Sequence, residues 1–304
     1  REEADALLQR HSGDPDKPRI LGAFNEKTPH WLAYFMFAFF TDRDGKYQLA
    51  ALAESGFDPL ARTCQFMLTE EAHHMFVGES GLMRVIQRAC EVINELGTDD
   101  AQRVRAAGAI DLPTLQKFIN FHYSLSLDLF GQELSTNGAN YYTYGLKGRY
   151  HETRIDDDHR LTDATWPVAA PKDKVILVEP QPALLAINER LRDDYIADSL
   201  RGLQRWNNVI QRHAVDFELS LPQRGFHRQV GVFAACRVTP DGRIISDAEW
   251  TRYRDDWLPN ERDDAFIASL MRPVTGCGEM ASWISPPSRG IHGQPIDYEY
   301  VKFA

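Results

Sequence analysis

The run Thr69-Glu70-Glu71-Ala72-His73-His74 contains two overlapping Glu-x-x-His pairs, Glu70 with His73 and Glu71 with His74. Residues three apart on a helix share a face, so either pair can offer a carboxylate and an imidazole to one metal ion. On a 3.6-residue period, Glu71 and His74 share their face with Cys64, Met67, Met75, Gly78, Leu82 and Val85. Glu70 and His73 share theirs with Thr63, Phe66, Val77, Gly81 and Arg84, a more mixed set. A carboxylate and an imidazole on the more apolar face need a compensating charge, and a cation supplies it. Glu71 and His74 are the expected metal pair; a solvated patch on an amphipathic helix is the plain alternative.

A third candidate precedes them. Trp31 to Phe40 is apolar on every face, which only a core helix tolerates, and it runs directly into Thr41-Asp42. Asp42 is therefore expected at the end of a buried segment, although Asp42 and Asp44 capping a turn before Gly45 is a competing reading. In carboxylate-bridged di-iron bundles two helices give one carboxylate each and two give a Glu-x-x-His each, all pointing inward. Asp42 followed by Glu71 and His74 matches half of that plan. No further Glu-x-x-His occurs in the sequence, so the two remaining helices are expected before Arg1.

The elements that must position these residues read as helices. Breaks fall at Gly13-Asp14-Pro15, Asn25 to Pro29 and Gly56-Phe57-Asp58-Pro59, and the long helix bearing the Glu-x-x-His pairs runs from about Ala61 to Leu96, stopping at Gly97. Another begins after Pro113, carries Phe118, Phe121 and Leu125 at helical spacing, and reaches about Leu134. Tyr141 to Pro180 reads as irregular, with the acidic Asp156-Asp157-Asp158 run and a short strand at Val175 to Val178. Pro182 to about Leu219 returns to helix, with Leu191, Tyr195, Leu200, Leu203 and Trp206 as its buried stripe, and Asp194 and Asp198 as surface charges. Val230, Val232 and Val238, then Thr239-Pro240-Asp241-Gly242, then Ile244 and Ile245 signal a hairpin. The fold class predicted is mainly α: a partial ferritin-like di-iron helical bundle with a small mixed C-terminal appendage containing a β-hairpin. Its expected divisions are 1–140 (the C-terminal half of the bundle), 141–181 (an irregular excursion), 182–222 (packing helices) and 223–304 (a small mixed α/β region).

Bulk properties narrow the function further. A net charge of −10 argues against a nucleic-acid footprint, which needs clustered Lys and Arg. The longest apolar run is about half of the roughly 20 residues that cross a membrane. Cys64, Cys90, Cys236 and Cys277 lie far apart without a C-x-x-C pair, as expected of reduced thiols in a cytoplasmic protein.

Four stretches, Gly22 to Phe24, Asp42-Arg43-Asp44-Gly45-Lys46, Ala50 to Pro59 and Thr69 to Phe76, closely resemble the oxygenase component of benzoyl-CoA 2,3-epoxidase, and the resemblance continues to the closing Asp297-Tyr298-Glu299-Tyr300-Val301-Lys302-Phe303. It implies a di-iron enzyme of aerobic benzoate degradation that converts benzoyl-CoA and O2 into the 2,3-epoxide. Electrons would come from NADPH through a separate flavin and iron–sulfur reductase. It also implies Asp42, Glu71 and His74 as iron ligands, with a Glu and a Glu-x-x-His from N-terminal helices completing the site. The basic, glycine-containing stretch Gly145-Leu146-Lys147-Gly148-Arg149 then offers Lys147 and Arg149 as contacts for CoA phosphates, or else is an ordinary solvated loop. Metal spacing alone also suits another ferritin-like oxidase, hydroxylase or ribonucleotide reductase small subunit, and a non-catalytic helical assembly protein is the reading from a different class.

Overall fold

A computed structural model describes residues 2–148, 164–276 and 279–287. Arg149, the acidic run at 156–158, His159, Cys277 and the closing segment from 288 lie outside the described residues. A short helix α1 (Glu2–Leu8) and a 3-10 turn at Gly22–Asn25 lead into the bundle. Its most closely packed pair of elements is α2 (Trp31–Ala53) and α3 (Asp58–Leu96). The His30 ring caps α2 by accepting a hydrogen bond from the Ala33 amide at 3.0 Å. Pro59 sits in the first turn of α3, where no amide is needed, and Gly97 ends it in the left-handed conformation (φ 63°).

The helices α2 and α3 run antiparallel in a tight seam. An added Cβ on Gly78 would lie 2.5 Å from the Phe39 amide nitrogen and 2.9 Å from the Phe35 carbonyl, both backbone atoms of α2. One on Gly81 would lie 2.6 Å from the Phe35 ring. Two small residues thus let the backbones approach closer than any side chain would allow. The core continues onto α5 (Leu112–Asp128) and α7 (Ile187–Arg212), with α4 (Ala101–Ala106) as a connector. Trp206 of α7 meets Phe39 at a ring distance of 4.3 Å, and Tyr123 of α5 meets Phe40 at 6.0 Å.

A helix α6 (Thr136–Thr143), capped by Ser135, follows α5. Beyond it β1 (Thr165–Lys172) and β2 (Val175–Pro182) form an antiparallel hairpin, registered from Thr165 opposite Pro182 to Lys172 opposite Val175. A smaller pair, β3 (Arg237–Val238) and β4 (Ile244–Ile245), precedes α8 (Asp247–Trp257) and α9 (Glu261–Leu270), both opened by capping boxes. Buried ion pairs fasten this outer layer to the bundle. Arg228 bonds Asp128 at 2.5 Å, while the Gln229 and Val230 amides donate to the same carboxylate.

The mainly helical bundle with small hairpins agrees with the sequence, and several details differ. The α2 helix does not stop at Phe40 but continues through Asp42, Asp44 and Gly45 to Ala53, so neither aspartate caps a turn. Asp44 is instead buried inside the helix, because α5 and α7 cover that side. The helix after Pro113 ends at Asp128 rather than near Leu134, and α7 starts and ends inside the expected limits. Within the region expected to be irregular the chain forms β1, whose Trp166 indole donates to Asp193 at 2.8 Å, and a β2 longer than the expected strand. Val230 and Val232 lie outside the β3–β4 pair. Leu200 is 48% exposed, whereas the other four residues of the expected stripe on α7 are buried. Among the described residues no helix is long and apolar enough to cross a membrane.

Gly78→Ala should lower stability by about 1–3 kcal/mol, the usual range for overpacking, since the new methyl meets backbone on α2. Urea unfolding measures this, and an unchanged midpoint would mean the seam has slack.

Candidate metal centre

The antiparallel seam sets which residues meet. Passing along α2 and back along α3, Phe35 faces Gly81, Phe39 faces Gly78, and Gly45 faces Glu71, whose Oε1 would be 3.4 Å from a Cβ at Gly45. Between the last two pairings Asp42 meets His74, with Oδ2 and Nδ1 3.7 Å apart. The same Nδ1 lies 3.7 Å from Glu71 Oε2. One ligand atom from each of Asp42, Glu71 and His74 lies within 4.8 Å of the others, and this is the one such group of three His, Cys, Asp or Glu side chains among the described residues. Glu70 and His73 are exposed and outside it.

The two carboxylates are mostly enclosed, each side chain 17% exposed, while His74 at 47% opens to the surface. Burial, reinforced by the neighbouring Glu71, pushes the Asp42 carboxyl up to about 7. Burial also raises Glu71, although His74 works against it. Glu71 Oε2 is buried with no hydrogen-bond partner in the protein. An orphaned carboxylate oxygen, a second enclosed carboxylate and an imidazole form an N/O donor set lacking positive charge. That set fits a divalent transition metal such as iron.

Residues that sequence reasoning did not single out hold this arrangement. Arg43, next to Asp42, is buried over the Phe39 ring and bonds Glu79 of α3 at 3.3 Å. Glu79 is also gripped by Arg205 of α7 at 2.5 and 2.6 Å. Asp198, expected as a surface charge, is only 14% exposed and pairs with Lys46 at 3.0 Å, Arg43 at 3.7 Å and Arg201 at 2.9 Å. These pairs join α2, α3 and α7 just beside the carboxylates. Their signal in the sequence was faint, because partners such as Glu79 with Arg205 and Lys46 with Asp198 lie more than a hundred residues apart and leave no local spacing.

Lys147 does not point outward. Its ammonium donates to Gln48 Oε1 of α2 at 2.9 Å, and its charge is felt by the buried Asp44, whose carboxyl burial raises to about 8. Cys64, Cys90 and Cys236 are free thiols.

No family model matches the chain. It is 59% identical over 303 residues to benzoyl-CoA oxygenase component B of Aromatoleum evansii, an alignment covering 100% of this chain and 64% of that protein. The chain is thus homologous along its whole length to a protein of which it spans less than two thirds.

Linkage gives a direct test. Between the ordinary aspartate value of 3.8 and about 7, folded Asp42 holds a proton that the unfolded chain has lost, so its contribution to stability falls as pH rises through that window. Acidifying the metal-free protein from about pH 7.5 to about pH 5.5 should therefore stabilise it more than it stabilises Asp42→Asn. Added Fe(II) or Co(II) under argon should raise the melting temperature of the unaltered protein at the higher pH, because the ion binds only the folded state. Equal pH slopes in the two proteins would show that the carboxylate pair carries no such strain.

Proposed function

We propose that this chain supplies one half of a di-iron centre in the oxygenase component of a two-component enzyme that epoxidises benzoyl-CoA to 2,3-epoxy-2,3-dihydrobenzoyl-CoA with O2. The observation that carries the reading is the 59% identity along the entire chain to benzoyl-CoA oxygenase component B. The enclosed Asp42, Glu71 and His74 cluster, whose donor types suit iron, supports it.

In this reading Asp42 and Glu71 hold iron through carboxylate oxygens and His74 through its imidazole. When bound, the iron supplies the O2 reduction that no protein side chain performs. The chain's own residues set the conditions for it. Gly45 leaves room for the Glu71 carboxylate against α2, and the Arg43, Glu79 and Arg205 pairs keep the two helices in register. The apolar seam beyond Gly78 keeps water from the inner side of the cluster. The remaining ligands, a Glu and a second Glu-x-x-His, belong to further helices seated on the open side, where His74, Phe66 (79% exposed) and Phe76 (67%) face out. Electrons come from a separate NADPH-dependent reductase carrying flavin and iron–sulfur centres, and the enzyme works in the cytoplasm.

The overlapping Glu-x-x-His pairs provide the experiment. In the native full-length protein, Glu71→Gln and His74→Ala should each reduce bound iron well below the roughly two ions per chain of the di-iron plan and abolish epoxide formation from benzoyl-CoA. Glu70→Gln and His73→Ala should keep both. Iron analysis and product chromatography decide it, and the reading fails if the two sets of variants behave alike or if the unaltered protein holds no iron.

A further inference from the structure

A groove of about 620 Å³ lies between α3 and α7, lined by Met83 of α3 and by Arg205, Asn208, Gln211 and Arg212 of α7. At helical spacing the four α7 residues share one face, and all four are exposed. The face is rich in donors. Arg212 forms no ion pair among the described residues. Asn208 accepts from Gln204 at 3.1 Å through its carbonyl oxygen, so its NH2 remains to donate. Arg205 commits Nε and Nη2 to Glu79 and keeps Nη1. No carboxylate lines the groove. Around it Arg43, Lys46, Arg201 and Arg205 outnumber Glu79 and Asp198, the carboxylates they pair with. Positive charge is thus gathered at one place on a chain whose net charge is −10.

The groove is also joined to the candidate metal centre. Arg205 grips Glu79, Arg43 bonds the same carboxylate at 3.3 Å, and Arg43 is the residue next to Asp42. Beneath them Trp206 packs on Phe39 at 4.3 Å, and the Arg43 guanidinium lies 4.0 Å over that ring. Trp206, Phe39 and Arg43 are all buried. Along α3, Met83 is only about 13 Å past His74 at 1.5 Å rise per residue. A closed, packed layer of this kind stops a substrate, whereas an electron needs no opening.

We propose that the α3–α7 groove is the surface on which an acidic face of the electron-donating reductase docks. That the partner is a reductase rests on the functional reading already given; the surface itself stands on the placement of charge beside the buried layer. A small phosphate ligand would be enclosed on most of its surface, but here the donors stand on exposed side chains, which suits a protein face. Elsewhere a chain of this net charge repels an acidic partner, so the groove also fixes the orientation in which that partner is accepted.

The test uses the native full-length protein and its NADPH-dependent flavin and iron–sulfur reductase. Arg212→Glu should weaken reductase binding about tenfold at low salt, measured by surface plasmon resonance without substrate. Near 0.5 M salt the two proteins should bind within about twofold of each other, because exposed charges are then screened. KM for the reductase should rise alongside, with KM for benzoyl-CoA kept within about twofold. Arg212→Lys retains the charge and should restore binding. In Gln211→Cys the new thiol should react with maleimide above the background of the native cysteines, and added reductase should shield it. Unweakened binding by Arg212→Glu, or a loss indifferent to salt, overturns the docking surface. So does a thiol that fails to react without the reductase, since the protein's own chain then covers the groove. Shielding by inorganic phosphate in place of the reductase shows a small-anion site and overturns it as well. If the reductase binds as expected and the unaltered protein still forms no epoxide from benzoyl-CoA, the functional reading fails while the docking surface stands.

Discussion

The close crossing of α2 and α3 at Gly78 is the constraint from which the candidate centre follows. Backbone packed on backbone at Phe35 to Phe39 fixes both the separation of the helices and their relative register. One turn further along α2 the register delivers Asp42, and one to two turns back along α3 it delivers His74 and Glu71. A shift of one residue on either helix would rotate a carboxylate by about 100 degrees away from the others. Glycine at 45 and 78 therefore matters as much to the cluster as the side chains that carry its chemistry.

That packing sets two carboxylates against each other where water is scarce, an arrangement a protein selected only for stability would avoid. Charge pairing is nevertheless close at hand: Arg43, Glu79, Asp198, Lys46 and Arg205 compensate one another a single residue away from Asp42. The cations are used to lock the helices, and none bonds Asp42 or Glu71 among the described contacts. Local rules broken at one place and satisfied around it are the usual mark of a site kept for a ligand.

Much of this was legible in the sequence, for identifiable reasons. Helical periodicity was informative on α3, where Cys64, Gly78, Leu82 and Val85 are buried on one face and Glu70 and His73 are exposed on another, although Met67 of the first face is exposed and Gly81 of the second is buried against Phe35. Gly97 marked the end of that helix because it alone fits the left-handed cap. Legibility failed where local preference lost to tertiary packing. Asp42-Arg43-Asp44-Gly45 looks like a helix end by propensity, yet α2 runs through it because ion pairs and neighbouring helices satisfy its polar groups. Lys147 looked like an outward charge in a glycine-rich loop, and its partner lies 99 residues away. The β1–β2 hairpin was half visible, since four prolines in β1 and β2 obscure the strand alternation that Ile176 and Ala169 still use to reach a small apolar cluster with Phe233 and Val238.

The distribution of burial along α3 bears on how the cluster works. From Gly78 onward one face of the helix is covered, with Leu82, Val85, Ile86, Ala89 and Cys90 at 1% exposure or less. Before it Phe66 and Phe76 stand largely in solvent, although rings of that size contribute most when enclosed. Asp42, Glu71 and His74 sit on the border between these two halves. Three side chains would leave a bound iron with positions still open, and the residues of the seam from Gly78 onward on that face belong to the apolar core. In the reading proposed above, protein that supplied further donors from the side where the rings are exposed would at the same time bury Phe66 and Phe76. Completion of the centre and burial of this face would then be one event, coupling metal binding to folding as metal sites commonly do.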